Sequence, residues 1–367
     1  MEVISFMKKH PLPIVSAVLA VLSMALVPPS EAYLGYIDVR VLCILFCFMA
    51  AIEGMRRKGV FDALATRMLH GNRGIGMLCL VLVMLPFLCS MVITNDVSLI
   101  TFVPFAILVL GMAGRRDLII PVVVLQTLAA NLGCMATPFG SPHNILLFST
   151  YPIDLPGFLV TVIPMVVVGG VVIALLALRP GREPVRVELD ERRVDGGWRL
   201  WLMCLVFILS VSAVLGWVPY WIVLAVAIVS VLVADVGILR GVDYDLLLTF
   251  VFLFVFTGNL ANTEGVCAAL EGLMAWDPML ASIGVSQVMS NVPATVMLSN
   301  FTDDWQGMLA GINIGGFGTP IASMASVISF RLYGASENPD TGRFLMVFTA
   351  MNILMLAVLI PMGMLST

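Results

Sequence analysis

Charged residues are scarce in this 367-residue sequence: they make up 11% of it, whereas hydrophobic residues make up 60% and the mean hydropathy is +1.06. A soluble protein carries about 25% charged residues, so the composition predicts an integral membrane protein. There are only three histidines, no HExxH, no GxSxG and no CxxC or CxxH spacing among the seven cysteines. These absences predict a protein that is not an enzyme and has no cofactor, and nothing indicates a nucleic-acid partner.

Long apolar runs indicate where the chain crosses the membrane, because a helix needs about 20 residues to cover the hydrocarbon core. They predict an all-α polytopic fold with about nine crossing helices. These are 12–29, 34–53, 118–150 (broken), 156–178, 199–216, 219–238, 244–262, 305–332 (broken) and 343–364.

Two further apolar stretches are broken in the middle by polar residues. In 278–301 each arm has about 12 residues or fewer, which as a helix spans roughly 18 Å and is too short to cross. We therefore predict a re-entrant hairpin there and, by analogy, a longer one at 75–113. Two ordinary spans joined by a polar turn would also explain 75–113.

The basic residues predict the orientation. With the N-terminus in the cytoplasm and the C-terminus outside, every Lys and Arg except Arg40 falls on the cytoplasmic side, as the positive-inside rule expects for an inner (plasma) membrane protein. The charged stretch 180–197 reads as a cytoplasmic linker between two repeats, 1–179 and 198–367. An odd number of crossings separates the equivalent spans 34–53 and 244–262, so we predict that the two repeats are inverted.

A polar motif occurs once in each repeat: Asn131-x-Gly133-x3-Thr137-Pro138 and Asn313-x-Gly315-x3-Thr319-Pro320. Each copy is preceded by a short polar element, which we call the first tip (Thr94, Asn95, Asp96) and the second tip (Ser290, Asn291, Val292). Helix breakers at membrane depth are tolerated where they line an enclosed site, as in secondary transporters with repeated halves. The predicted substrate- and ion-binding residues are Thr94, Asn95, Asp96, Thr137, Gly140, Ser141, Pro142, His143, Ser290, Asn291, Gly318, Thr319, Pro320 and Ser323.

Asp96 is the one carboxylate predicted at membrane depth in a hairpin, and it is the candidate coupling residue for a sodium ion or a proton. The alternative is an acid that only caps the following helix. His143 is a candidate for a substrate or proton contact, with structural capping as the alternative. Because no Lys or Arg is predicted at this depth, an anion would be held by amides, hydroxyls, helix dipoles and a co-bound cation.

The segments "ITNDVSLITFVPF" (93–105), "NLGCMATPFGSPHNIL" (131–146), "SQVMSNVPATVML" (286–298) and "EGMRRKGVFDALATRML" (53–69) resemble the ion transporter superfamily. The resemblance is to the arsenite/antimonite permease–NhaD antiporter group and the citrate-transporter-like anion permeases, and most of all to the small YbiR-type inner-membrane permeases. It covers nearly the whole chain.

The resemblance implies a homodimer in which each protomer has a scaffold domain and a mobile transport domain. It implies sodium at Thr94, Asn95 and Gly140, and at Ser290, Asn291 and Gly318. Asp96 and Val292 stand where dicarboxylate carriers have threonine, which points away from dicarboxylates and toward coupling through Asp96. His143 stands where many relatives have glutamine.

The sequence therefore predicts a secondary active transporter in contact with membrane lipid. It would move a small inorganic or organic anion, coupled to sodium ions or protons, by alternating access. A sodium/proton antiporter is the main alternative, and a passive ion channel is a weaker one.

Overall fold

The computed structural model describes residues 11–69, 71–181, 183–187 and 194–367. The predicted cytoplasmic lysines Lys8 and Lys9 and part of the predicted linker 180–197 lie outside these ranges. Within them the chain is nearly all helical, as predicted.

Among the described residues, the first half contains nine helices and one short strand. They are α1 (Pro11–Ser23), α2 (Ala32–Tyr36), α3 (Val39–Arg57), α4 (Val60–Leu69), β1 (Gly71–Gly74), α5 (Ile75–Ser90), α6 (Asn95–Met112), α7 (Ile119–Met135), α8 (Pro142–Thr150) and α9 (Leu155–Leu178), with a 3₁₀ turn at Arg116–Leu118.

The second half repeats the order from the long helix α3 onward. It contains β2 (Pro184–Val187), α10 (Trp198–Val214), α11 (Tyr220–Ala234), a 3₁₀ segment (Val236–Gly241), α12 (Tyr244–Ala261), α13 (Glu264–Trp276), α14 (Pro278–Met289), α15 (Asn291–Leu298), α16 (Trp305–Gly315), α17 (Met324–Gly334) and α18 (Thr341–Ser366). In sequence order, α3 to α9 correspond to α12 to α18.

In the part of the chain that the structure describes, five helices are long and apolar enough to cross a membrane, which agrees with a polytopic membrane protein. They are Asn95–Met112, Arg116–Met135, Leu155–Leu178, Tyr244–Ala261 and Thr341–Ser366. Both of the longest predicted spans are divided in two, and we call the gaps the first break (136–141) and the second break (316–323).

Some boundaries differ from the sequence expectation. The predicted span 34–53 starts later, because the Asp38 carboxylate accepts a hydrogen bond from Val41 N (3.0 Å) and caps α3 there, and α3 continues to Arg57. The strands β1 and β2 pair as a small antiparallel ribbon that the all-α prediction did not include. Its backbone joins the start of α5 to the linker.

Aspartate side chains begin many of the helices. Each of them accepts a hydrogen bond from a backbone N–H in the first turn, which satisfies a donor that the helix itself leaves unpaired. These N-caps are Asp38, Asp154, Asp243, Asp277, Asp304 and Asp340. Several of the scarce acids therefore act as helix starts.

The two halves interlock around α7, in which 15 of 17 residues are buried. Helix α5 packs on α7, and α14 packs on α16 in the corresponding way. These contacts are close, because a Cβ added at Gly133 or Gly311 would overlap a carbonyl oxygen of the facing helix. Helix α6 packs on α17 and α15 packs on α8, so each arm after a tip contacts the broken helix of the other half.

The two tip regions differ in size. Helices α5 and α6 have 16 and 18 residues, whereas α14 and α15 have 12 and 8. At 1.5 Å per residue α6 is roughly 27 Å long and α15 roughly 12 Å. Entry and exit of 75–113 on one side of the membrane stays a prediction, since α6 alone is long enough to cross.

Candidate functional site

Four helix N-termini meet at one small buried cavity of about 20 Å³. Each wall contains the first residues of a helix: α6 with Asn95 and Asp96, α8 with Pro142 and His143, α15 with Asn291, and α17 with its N-cap Ser323. A space of this size holds about one water-sized group. The two tips and the two breaks, which are far apart in the sequence, therefore converge at one point.

Asn131 joins the first tip to the second break. Its Oδ1 accepts hydrogen bonds from Asn95 Nδ2 (2.9 Å) and Ser323 Oγ (3.1 Å), and its Nδ2 donates to the Gly316 carbonyl (3.2 Å). Both the oxygen and the nitrogen of this buried amide therefore make hydrogen bonds to the second half. Asn131 begins the repeated motif, yet sequence reasoning did not include it among the site residues.

Asn313, the matching residue of the second motif, joins the second half to α8. Its Nδ2 donates to Asn144 Oδ1 (2.8 Å) and to the Leu309 carbonyl (2.9 Å). Its Oδ1 therefore faces His143 Nε2 (3.2 Å), which carries the hydrogen. His143 Nε2 also lies 3.0 Å from Ser141 Oγ. His143 therefore contacts the N-cap side chain of α8 and Asn313, and its predicted roles, capping or a substrate or proton contact, both stay predictions.

In each half, one hydrogen bond joins the break to the helix that leads into the tip. Thr137 Oγ1 donates to the carbonyl of Met91 (2.7 Å), and Thr319 Oγ1 donates to the carbonyl of Gln287 (2.8 Å). Met91 and Gln287 each precede a tip asparagine by four residues. The repeated Thr-Pro pair therefore has the same structural contact twice.

Gln287, on α14, contacts the second break, and the sequence analysis missed it. Its Nε2 donates to the carbonyls of Phe317 (2.9 Å), Gly315 (3.1 Å) and Ile283 (3.2 Å), and its Oε1 accepts from Thr319 N (2.8 Å). Gly318 has φ +123°, and a Cβ there would overlap Gln287 Oε1. The signal that could have identified Gln287 is a glutamine within an apolar helix, one turn before the tip.

Three polar atoms around the small cavity are buried and have no hydrogen-bond partner among the described residues: Asp96 Oδ1, His143 Nδ1 and Ser290 Oγ. Unsatisfied buried polar atoms are costly, and a group of them indicates a place for a ligand, an ion or a proton. Asp96 Oδ1 makes no capping contact, and the N-cap of α6 is Thr94.

A larger cavity of about 320 Å³ reaches the first tip from the end of α3. Its polar lining consists of Glu53, Arg56 and Asp243 together with Thr94 and Asp96 of the first tip. Its remaining wall is mainly apolar and includes Phe48, Met49, Ile100 and Leu246. Asp96 lies between the two cavities, since it lines both.

Glu53 is a second buried carboxylate that the sequence analysis did not single out. It is 6% exposed and pairs with Arg56 Nε (2.7 Å) and Arg57 Nε (2.9 Å). Two cations at the i+3 and i+4 positions satisfy its charge, which a buried carboxylate requires. The spacing Glu-x-x-Arg-Arg could have identified this cluster.

The predicted site residues occupy four kinds of position. Seven line the small cavity, Thr94 lines the larger one, and Ser141 contacts His143. The seven are Asn95, Asp96, Pro142, His143, Ser290, Asn291 and Ser323. The remaining five, Thr137, Gly140, Gly318, Thr319 and Pro320, lie in the breaks and line neither cavity.

Comparisons with known proteins place this geometry in a class. The family model described as "Citrate transporter" matches residues 3–304. An uncharacterized transporter of Methanocaldococcus jannaschii, MJ0456, is 30% identical over 357 residues, which cover 94% of this chain and 95% of that protein. The inner membrane protein YbiR of Escherichia coli is 29% identical over 307 residues, covering 81% of this chain and 80% of that one.

The fold also matches a solved structure, that of the YdaH transporter of Alcanivorax borkumensis. The TM-score is 0.60 at 12% sequence identity, and the match covers 97% of this chain and 98% of that one. A helical membrane fold with broken helices around a buried polar centre, together with these relatives, defines a membrane transporter. The chain belongs to the citrate transporter family.

Proposed function

We propose that the protein is a secondary active transporter that moves a small inorganic or organic anion, coupled to sodium ions or protons. The observation that carries the proposal is the meeting of four helix N-termini at the small cavity. Each N-terminus carries roughly half a positive charge, so the four would attract an anion without any Lys or Arg. Because the cavity as described holds about one water-sized group, binding of an anion requires it to widen. No described residue that lines this cavity is a Lys or an Arg.

Coupling is assigned to Asp96. Its buried Oδ1 lacks a partner, and it lies where the larger cavity meets the small one. A sodium ion or a proton on this carboxylate would reduce the repulsion between Asp96 and an anion in the small cavity. Anion and cation would then favour each other's binding, which is the thermodynamic requirement for symport.

Two features support alternating access of the site to the two sides of the membrane. The larger cavity reaches the first tip from the Glu53–Arg56 end of α3, which the distribution of basic residues assigns to the cytoplasm. The repeated order of helices α3 to α9 and α12 to α18 gives two matched halves around the site. In this proposal the repeats are inverted, 75–113 and 278–301 are re-entrant, and the protein works as a homodimer.

A sodium/proton antiporter is the second candidate. It is favoured by the same unpaired Asp96 carboxylate, for which a sodium ion and a proton could compete. The two candidates differ in whether an anion crosses the membrane. Four positive helix ends around one cavity favour an anion as its ligand, and therefore the first candidate.

The test is transport by the purified protein in liposomes. Uptake of small oxyanions and carboxylates is measured under an imposed sodium gradient, an imposed pH gradient, or neither. We expect accumulation of at least one anion that requires one of the two gradients. Sodium-for-proton exchange in the absence of any anion would instead identify the antiporter, and flux independent of both gradients would contradict coupled transport.

Topology has its own test. In a cysteine-free background, Asn95→Cys should be labelled from the cytoplasm and Asn291→Cys from outside by a membrane-impermeant reagent. Labelling of both positions only from one side, in every condition of substrate and ion, would contradict the inverted arrangement.

A further inference from the structure

The family resemblance implies a sodium ion at each of the two tips, but the two breaks make different contacts. In the second break the Gln287 side chain inserts between hairpin and break, and its amide nitrogen donates to the carbonyls of Gly315 and Phe317. Its Oε1 accepts from the N–H of Thr319. Both ends of the amide are therefore engaged by unwound backbone.

These carbonyls are the groups that an unwound helix offers to a cation. A hard cation such as sodium is bound by oxygen atoms, and backbone carbonyls freed from a helix supply them. A carbonyl that already accepts a hydrogen bond from an NH₂ group has the partial positive charge of that group where a cation would bind. The Gly316 carbonyl between them accepts from Asn131 Nδ2 (3.2 Å). The carbonyls of 315, 316 and 317 are thus all held by side-chain amides.

The equivalent place in the first break is different. Met91 occupies the position of Gln287, four residues before the tip asparagine, and its thioether cannot donate a hydrogen bond. Asn144 Nδ2 holds the carbonyls of Cys134 (3.2 Å) and Thr137 (3.1 Å). No hydrogen bond to the carbonyls of Met135 and Ala136 occurs among the described residues.

The tips differ in the same sense. The first tip has Asp96, whose buried Oδ1 lacks a partner, and the second has Val292 at the matching position. By motif position Met135 matches Phe317 and Ala136 matches Gly318, and the carbonyls of Ala136 and Gly318 are both without a hydrogen bond among the described residues. The halves therefore differ at two places: the first has a carboxylate at Asp96 and a free Met135 carbonyl, and the second has an apolar Val292 and a Phe317 carbonyl held by the Gln287 amide.

We propose that the Gln287 amide takes the place of a cation in the second break, so that each protomer has one exchangeable cation position, at Asp96, and moves one coupling ion per cycle. The proposal rests on the proposed function, because it states the stoichiometry of that site. Gln287 is a positioning residue: it holds the second break in shape in every state, without an ion.

The test compares three proteins by thermal unfolding in sodium chloride, with choline chloride at the same ionic strength as control, and over a range of pH. Stabilisation by a bound ion follows mass action. We expect the wild type to gain several degrees in Tm with sodium or on protonation, and Asp96→Asn to lose this response. In the Asp96→Asn background, Gln287→Glu should restore a response, because a carboxylate beside the Gly315 and Phe317 carbonyls needs a cation or a proton.

Gln306→Glu in the same Asp96→Asn background is the matched control, since Gln306 lies on α16 outside the break. It should restore nothing. A response to cation that persists in Asp96→Asn alone would overturn the proposal, because it would reveal a second site. An equal restoration by Gln287→Glu and Gln306→Glu would also overturn it.

Stoichiometry in liposomes gives an independent readout. The reversal potential of transport should correspond to one coupling ion per cycle in the wild type, and two would overturn the inference while leaving coupled transport intact. Absence of any gradient-driven transport would instead contradict the proposed function, and the two failures are therefore distinguishable.

Discussion

The two tips have the same place in the repeat but different chemistry. The first has Thr94 with ordinary extended backbone (φ −63°, ψ 151°), a carboxylate at Asp96 and an asparagine bonded to Asn131. The second has Ser290 with φ +75° and an apolar Val292, and its backbone is joined to the second break through Asn291 N, which donates to the Ala322 carbonyl (2.9 Å). The two tips therefore have matching positions in the order of helices but different functional groups.

The two tips also differ in how many hydrogen bonds connect them to their own breaks, and this difference suggests separate roles for the two halves. The second tip is connected to its break by several hydrogen bonds from Gln287 and Thr319, whereas the first is connected to its own break by the Thr137 contact with Met91. A region with fewer connections opens at a lower free-energy cost. We infer that the first half carries the ion-dependent step and that the second half supplies a rigid wall, and each prediction below challenges that division.

The largest effect is expected from Asp96→Asn. The substitution keeps the size of the side chain and removes its charge, and hydrogen bonds to charged groups contribute about 1.5–3 kcal/mol. Affinity for the coupling ion should fall by about one to two orders of magnitude, and gradient-driven accumulation should disappear while exchange of substrate is partly kept. The measurement is uptake with and without a gradient.

A capping role for Asp96 makes the opposite prediction. Because asparagine is also a good N-cap, Asp96→Asn would then accumulate substrate with an unchanged dependence on pH and sodium. Val292→Ala at the matching position is the control, and it should leave the ion dependence of transport as it is.

The next effect separates the two tip asparagines. Asn95→Ala and Asn291→Ala should both abolish transport, since each removes an amide from the small cavity. Only Asn95→Ala should also lower stability, by about 1 kcal/mol, because it removes one of the two hydrogen bonds that Asn131 Oδ1 accepts in a buried position. Thermal unfolding together with uptake assays checks both parts. Equal loss of stability in the two variants would contradict the asymmetry.

Sequence reasoning found the framework because helix breakers and polar residues are conspicuous in apolar sequence. The tip asparagines, Asp96 and His143 line one small cavity, whereas the Thr-Pro pairs of the two breaks line neither cavity. Helix ends were less accurate, as at α3, where the cap Asp38 fixes the start within a continuous apolar run.

The residues that sequence reasoning missed act across long sequence distances. Asn131 reaches Gly316, Asn313 reaches Asn144, and the function of Gln287 depends on which carbonyls face it. An amide in an apolar helix can be satisfied in many ways, and its partner is set by packing. The same holds for the division of roles between the halves, since it follows from these contacts.

A smaller effect should distinguish the two threonine contacts. Thr137→Val and Thr319→Val each remove one hydrogen bond, whose net contribution is about 1 kcal/mol. The loss should be larger for Thr137→Val, because Thr319 N still donates to Gln287 Oε1 in the other variant. Thermal unfolding of the two variants and of each Thr→Ser control gives the comparison. A greater loss in Thr319→Val would contradict the rigid-wall assignment of the second half.

The smallest effect concerns the backbone of the tips, and here the two halves should respond with opposite signs. Ser290 has φ +75° and ψ 151°, a conformation that is essentially restricted to glycine and costs other residues about 1–3 kcal/mol. Ser290→Gly should relieve that strain and raise the free energy of unfolding by up to about 1 kcal/mol, since the Ser290 hydroxyl has no hydrogen-bond partner to lose among the described residues. Thr94→Gly should lower it by about 0.5–1 kcal/mol, because Thr94 has a relaxed φ of −63° and glycine only adds freedom to the unfolded chain. Chemical denaturation in detergent measures both. A Ser290→Gly variant that is more stable but no longer transports would indicate that the Ser290 hydroxyl contacts the transported ion or anion. A variant that is more stable and still active would leave the first tip as the part of the site that selects the coupling ion.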